Sequence, residues 1–349
     1  MDYSTITRLE DLPVEILMEI FIYFPADKLY FSFAQLNNRF NLILKSLSNL
    51  ALVINEHVDS SVLSFFYSFN KILVKPDKLY IRCNCKFHSI NGGNYLYEIY
   101  PDSDNWWYPH YSEEIENIIC SDICSQLQTL VLPATSLHLT QLIFCGKFSR
   151  LRICHLGKCK PIIFPLPTTV HLHNLRQLTI RQQNGCALET ILLICPSLVY
   201  LDFSCDDAIP SFVHTKNYCF SSMKYLRLGR LKKFFFHNGE FDFLLSLFPN
   251  LRQFYLIADQ PYVNVETIEF REIALCLRHQ CPLLKILVLC IYMQGHMSFH
   301  RSIRSFKEIT QMHDLFNYVD KCQSRLIISS HGFIQHHVRS CRYSRPSSK

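Results

Sequence analysis

The amino-acid sequence predicts an α/β chain: three short helices, then a solenoid of stacked repeats whose parallel strands line a concave face. Three observations carry this. First, the pattern Leu-x-x-Leu-x-Leu, or a close apolar variant, recurs seven times, starting at Leu127, Leu151, Leu175, Leu198, Met223, Leu251 and Leu284. The starts lie 24, 24, 23, 25, 28 and 33 residues apart, a near-constant period typical of repeats with one short strand each; the last interval implies an insertion. Second, the sequence between motifs turns helical: Ile115 to Ile123, Leu188 to Ile194, Phe241 to Leu247 and Thr267 to Leu277 carry apolar residues at three- and four-residue spacing. Third, the opening residues lack the motif and read as helices only.

Pro13 fixes φ near the helical value and gives up an N–H that a first turn cannot use, so the first helix starts there. From Val14 to Phe24 only Glu15 and Glu19 are polar, and Pro25 ends the segment. Ala26 to Leu36 and Arg39 to Leu47 give two more short helices. Three helices of this size are too few to bury their apolar surface against one another. The remainder is to be covered by the rest of the chain or by a partner helix.

A weak early copy of the motif is expected at Leu79-Tyr80-Ile81. Residues 84–111 replace about one repeat and hold Gly92-Gly93, Pro101, Pro109, Trp106 and Trp107, reading as a loop that either grips a ligand or is pinned by its own aromatics. Three helices run into Cys195-Pro196, Phe248-Pro249 and Cys281-Pro282, where Pro stops the helix and feeds the next strand. Ile303 to Val319 has a helical apolar stripe and is expected to cap the last repeat. The expected organisation is residues 8–50 helical, 51–299 repeats, and 300–349 a helical cap with a basic, solvated tail.

Leu12-Pro13, Glu15-Ile16-Leu17, Ile20-Phe21, Tyr23-Phe24, Asp27-x-Leu29 and Asn38-Arg39-Phe40 resemble an F-box. That family usually has Leu at the place of Phe24 and Arg-Trp at the place of Arg39-Phe40. The form Cys-Pro-x-Leu-x-x-Leu-x-Leu resembles the cysteine-containing leucine-rich repeats often joined to F-boxes. The two together resemble a substrate receptor of an SCF-type (Skp–cullin–F-box) ubiquitin ligase. The resemblance implies that the helices dock on a Skp-type adaptor, and through it on a cullin, through Leu12, Pro13, Ile16, Leu17, Ile20 and Leu29. Phe21, Phe24 and Phe33 are equally suited to the motif's own small core. The alternative is a non-enzymatic interaction scaffold whose N-terminal helices merely cap the repeats.

Composition narrows the function classes. Hydrophobic residues make up 49% and charged ones 18%, which describes a folded, core-rich chain. No apolar run follows the first Met, and the most apolar run, Leu283 to Met293, contains Lys285 and is too short to span a bilayer. The 16 cysteines read as reduced thiols of an intracellular protein, cytoplasmic or nuclear. Residues 301–349 hold nine Lys/Arg against three acidic residues, which accounts for the whole net charge of +6. That tail lacks a dense basic run or interleaved aromatics, so neither nucleic acid nor membrane is expected as a partner.

Catalytic patterns are weak. Cys83-x-Cys85-x-x-His88 offers three metal ligands without a second pair at standard spacing, and His336-His337 near Cys341 is weaker still, so no metal is expected. No Gly-rich phosphate loop and no Gly-x-Ser-x-Gly elbow is present, and Asp206-Asp207 reads as a solvated pair. No cofactor and no enzymatic activity is expected. Strand alternation instead points to the concave face, because residues between the motif's last two Leu turn away from the core. Arg181 stands with Gln177 and Thr179 on one rung, Tyr200 and Asp202 on the next, then Tyr225 and Arg227, then Gln253 and Tyr255. Tyr200 and Tyr225 are expected to be neighbours, with Arg181, Asp202 and Arg227 alternating in sign. This face is either the binding surface for a protein target or a solvated sheet face with self-neutralising charges.

Overall fold

The structure, a computed structural model, describes residues 8–47, 50–54, 60–66, 69–74, 113–121, 126–159, 161–162, 171–205, 218–232, 240–260, 270–294 and 325–331. The expectations for Leu79-Tyr80-Ile81, the 84–111 insertion, Cys83-x-Cys85-x-x-His88, Asp206-Asp207, Ile303 to Val319 and His336-His337 fall outside these residues. The chain divides into two compact units, Met1–Thr135 and Ser136–Lys349.

The first unit opens with a 3₁₀ turn, Leu9–Asp11, and three helices, α1 (Val14–Phe21), α2 (Ala26–Phe33) and α3 (Asn38–Ser46). Pro13 is the N-cap of α1. The helix ends at Phe21, three residues short of the expected Phe24. Tyr23 and Phe24 instead donate to Ile20 and Phe21 in tight turns (3.3 and 3.0 Å), because the residue before Pro25 is excluded from helical ψ. Asn37 caps α3, its side chain accepting from the Phe40 N–H at 2.9 Å. Gln35, between α2 and α3, takes a left-handed φ of 74°, and its N–H donates to Asn41 Oδ1 at 3.0 Å. Arg39 donates to the carbonyls of Glu10 and, at 2.6 Å, Leu12, which fixes the entry to α1.

The unit continues through β1 (Ala51–Ile54), α4 (Ser60–Phe65), β2 (Lys71–Val74), α5 (Glu113–Cys120) and β3 (Thr129–Thr135). The three strands pair in parallel. β1, β2 and α4 lie outside the seven motifs, although β2 follows an apolar variant, Phe69-x-x-Ile72-x-Val74, at the same two-residue offset. They show that the repeat architecture begins immediately after the helices and shares a unit with them. Tyr30 of α2 meets the Phe65 ring edge-on at 5.3 Å, and Lys45 of α3 lies 5.1 Å over it.

In the second unit α6 (Leu137–Phe144), α7 (Ala187–Ile194), α8 (Glu240–Ser246) and α9 (Phe270–Gln280) intersperse β4 (Ile153–Cys159), β5 (Gln177–Gln183), β6 (Tyr200–Cys205), β7 (Tyr225–Lys232), β8 (Gln253–Gln260), β9 (Ile286–Gln294) and β10 (Arg325–His331). Each neighbouring pair is parallel. All seven motifs deliver their strand at one offset, two residues after the first apolar residue. The cause repeats as well. In six motifs the first apolar N–H closes a turn onto a carbonyl three residues back: Leu151 onto Phe148, Leu175 onto Leu172, Leu198 onto Cys195, Met223 onto Phe220, Leu251 onto Phe248 and Leu284 onto Cys281 (3.0–3.2 Å). The apolar motif positions Cys154, Leu178, Leu201, Leu226, Phe254 and Leu287 are then aligned and buried.

One expectation is corrected here. The tail beyond residue 300, read as a solvated end, supplies β10, with Arg325 opposite Val288 and His331 opposite Gln294. Leu326-Ile327-Ile328 has strand propensity, and the edge of β9 offers unpaired backbone groups.

Candidate functional site

Two surfaces emerge, one in each unit. The first is apolar. Phe21, Phe33 and Phe40 form a ring cluster at centroid distances of 4.9, 5.9 and 6.2 Å, with Leu17, Leu29, Ile43 and Leu44 buried. This small core consumes one face of each helix and leaves others open. Leu9, Val14, Ile16, Ile22, Tyr23, Phe24, Phe31, Leu36 and Leu42 are exposed, Tyr23 to 83% and Leu42 to 71%. Among the described residues only three further large apolar side chains are as open, Tyr218, Leu275 and Leu283.

The expected docking residues therefore separate. Pro13 and Ile16 are exposed, Leu12 and Ile20 half-buried. Leu17 and Leu29 are wholly buried and are corrected from docking to core residues, because each faces the inside of the helical cluster. Phe24, considered for the core, is 43% exposed, since the turn before Pro25 carries it outward.

The second surface is the polar face of the repeat strands. Register aligns His155, Thr179, Asp202, Arg227 and Tyr255 in one row, and Gln177, Tyr200, Tyr225 and Gln253 in the row beside it. Tyr200 and Tyr225 stack at 4.2 Å and 14°, and Tyr225 and Tyr255 lie 5.1 Å apart. Asp202 is 4% exposed and lies between Arg181 (3.2 Å) and Arg227 (3.7 Å). The structure thus brings Arg181, Tyr200, Asp202, Tyr225, Arg227 and Tyr255 together, and the three charged groups sum to one positive charge.

The face is knitted rather than freely solvated. His155 Nδ1 is 2.7 Å from Thr179 Oγ1, and the His155 ring meets that of Tyr200 edge-on at 6.2 Å. Burial, reinforced by Asp202, raises the Tyr200 hydroxyl pKa; burial and the flanking tyrosines raise that of Tyr225, so both stay protonated donors. Burial lowers the His155 pKa, with Asp202 opposing and Arg181 reinforcing that shift.

One residue of this face was missed, and so was one buried polar residue of the inward row, opposite Cys205. His155 occupies the motif position of Thr179 and Asp202, so aligning the motifs one rung earlier finds it. Gln183 had no signal. It sits at a bulge in β5, where its Nε2 donates to Cys159 Sγ (2.9 Å) and the Arg181 carbonyl (3.1 Å) while its Oε1 accepts from the Ile162 N–H (2.9 Å).

Among the described residues no group of three or more His, Cys, Asp or Glu is arranged to hold a metal, and no helix is long and apolar enough to cross a membrane. Burial pushes the thiols of Cys159 and Cys276 up to about 11 and that of Cys281 to about 12, and raises those of Cys154 and Cys195 further. No model of a known protein family matches the chain, and no curated protein matches it.

Proposed function

We propose that the chain is a substrate-recognition subunit of an SCF-type ubiquitin ligase. In this reading the N-terminal helices dock on a Skp-type adaptor, and through it on a cullin, inside the cell. One observation carries the proposal: nine exposed apolar side chains between Leu9 and Leu42, left open by a helical cluster that already has its own core. Pro13, Ile16 and the half-buried Leu12 and Ile20 are the docking residues.

The polar face is the place for a protein target. Stacked tyrosines are large, rigid anchors that lose little side-chain entropy on binding, and the Arg181–Asp202–Arg227 cluster favours an anionic group. The subunit itself transfers nothing. It raises the effective concentration of the target beside the charged ubiquitin-conjugating enzyme.

Co-purification of the chain with a Skp-type adaptor tests this. Wild type is expected to retain the adaptor, and Ile16→Asp to lose it while melting like wild type. A wild-type chain that retains no adaptor leaves a leucine-rich interaction scaffold in its place.

A further inference from the structure

The rim where the repeat strands begin carries a line of cations that the proposed function does not use. The second motif position, the residue immediately before each strand, is Arg152, Arg176, Val199, Lys224, Arg252 and Lys285. The strand-start residues Ile153, Gln177, Tyr200, Tyr225, Gln253 and Ile286 pair rung to rung, so the six preceding positions also stand in line. Backbone bonding pins the first five: the carbonyls of Arg152, Arg176, Val199, Lys224 and Arg252 each accept two N–H groups from the following repeat at 2.8–3.1 Å.

All five cationic side chains are exposed, and the gap in the line is Val199, half-buried. The turns that present them, residues 149–152, 173–176, 196–199, 221–224, 249–252 and 282–285, contain no Asp or Glu and add a further cation, Arg150. Arg176 Nη1 donates to the Ser197 carbonyl at 3.2 Å, and among the described residues none of the five is ion-paired. A row of like charges on a rigid ladder is held against its own repulsion, and a complementary anion relieves it.

We propose that this rim binds an extended acidic segment of a partner protein. At about 4.8 Å per rung the row is about 24 Å long, the span of about seven extended residues. The charge lies in a single file, which suits one acidic strand laid across the rung ends. Binding of a nucleic-acid strand relies on aromatic platforms beside the cations. None of these turns contains Phe, Tyr or Trp, and their one ring, His173, lies 5.5 Å from that of His171.

The test uses the full chain, a fluorescent Glu-rich peptide and its Gln-rich counterpart. The Glu-rich peptide is expected to bind and to weaken with salt, since exposed charges are screened beyond about 8 Å at physiological ionic strength. Arg176→Gln, Lys224→Gln and Arg252→Gln together are expected to weaken it about tenfold, the sum of small exposed-pair contributions. Val199→Lys fills the gap and is expected to tighten binding about twofold to threefold. Because the neighbouring rungs already carry Arg or Lys at that position, this variant is expected to fold and melt like wild type. Equal binding of the two peptides, or affinity unmoved by both the triple variant and Val199→Lys, overturns the proposal. So does a single-stranded oligonucleotide that binds more tightly than the peptide. Adaptor capture is unaffected by these variants, so the outcome is independent of the ligase reading.

Discussion

The opening helices and the repeat strands are comparably rich in apolar residues but dispose of them differently. In the repeats a period-two strand sends alternate side chains inward, and Leu178, Leu201, Leu226, Phe254 and Leu287 are closed off by the rungs on either side. In α1 to α3, apolar residues run around more of each helix than the small core covers, so Ile16, Phe31 and Leu42 stay open beside buried Leu17, Leu29 and Phe40. Stacking solves burial internally. Three short helices leave nine large apolar side chains uncovered.

Truncation breaks or sharpens that contrast most strongly. Phe254→Ala empties a fully buried site between two rungs and is expected to cost about 4 kcal/mol, whereas Phe31→Ser, at a 64% exposed position, is expected to change stability by less than about 0.5 kcal/mol. Chemical denaturation of the two variants checks this. Equal losses would mean that the helices are packed like the repeats.

Next in size is Asp202→Ala. Removing the carboxylate leaves Arg181 and Arg227 facing each other on a half-buried face, with an expected cost of about 3 kcal/mol, at the lower end of the range because both guanidinium groups keep some solvent. Replacing Arg227 by Met in the same background is expected to restore part of the loss. A double-mutant cycle without coupling would sink the cluster as a unit. Smaller still is Arg39→Ala, which removes donors to the Glu10 and Leu12 carbonyls at the entry to α1 and is expected to cost about 1 kcal/mol by thermal melting.

What the sequence revealed follows the same division. All seven motif strands and the pairing of Tyr200 with Tyr225 were legible because each strand starts at one offset from its motif, a start that in six of the seven is marked by a turn closed by the first apolar N–H. β1 and β2 were not, because each is only four residues long and, at β2, Phe69, Ile72 and Val74 replace all three Leu of the motif. β10 was masked by the charge around it, although its centre is Leu326-Ile327-Ile328. Among the docking residues, helix periodicity placed Leu17 and Leu29 on apolar positions without saying which apolar side meets Phe21, Phe33 and Phe40. The fate of Leu17 was set by a three-helix arrangement that spacing within one helix does not encode.

The smallest expected effect reads the polar row by pH. Burial lowers the His155 pKa below its usual value of 6.5, so between the folded pKa and 6.5 the unfolded chain binds more protons than the folded one. His155 therefore contributes stability that is present above the unfolded pKa and is lost as pH falls through the folded pKa. The opposing pull of Asp202 keeps the effect modest, and removing that carboxylate lowers the histidine's pKa further. With 16 histidines in the chain, the informative quantity is the difference between wild type and His155→Gln. That difference in stability, followed by urea unfolding as pH is lowered from above 6.5, is expected to shift toward the variant. A difference that stays flat would mean that the ring, 2.7 Å from Thr179 and edge-on to Tyr200, gains as much from its neighbours when charged as burial takes away.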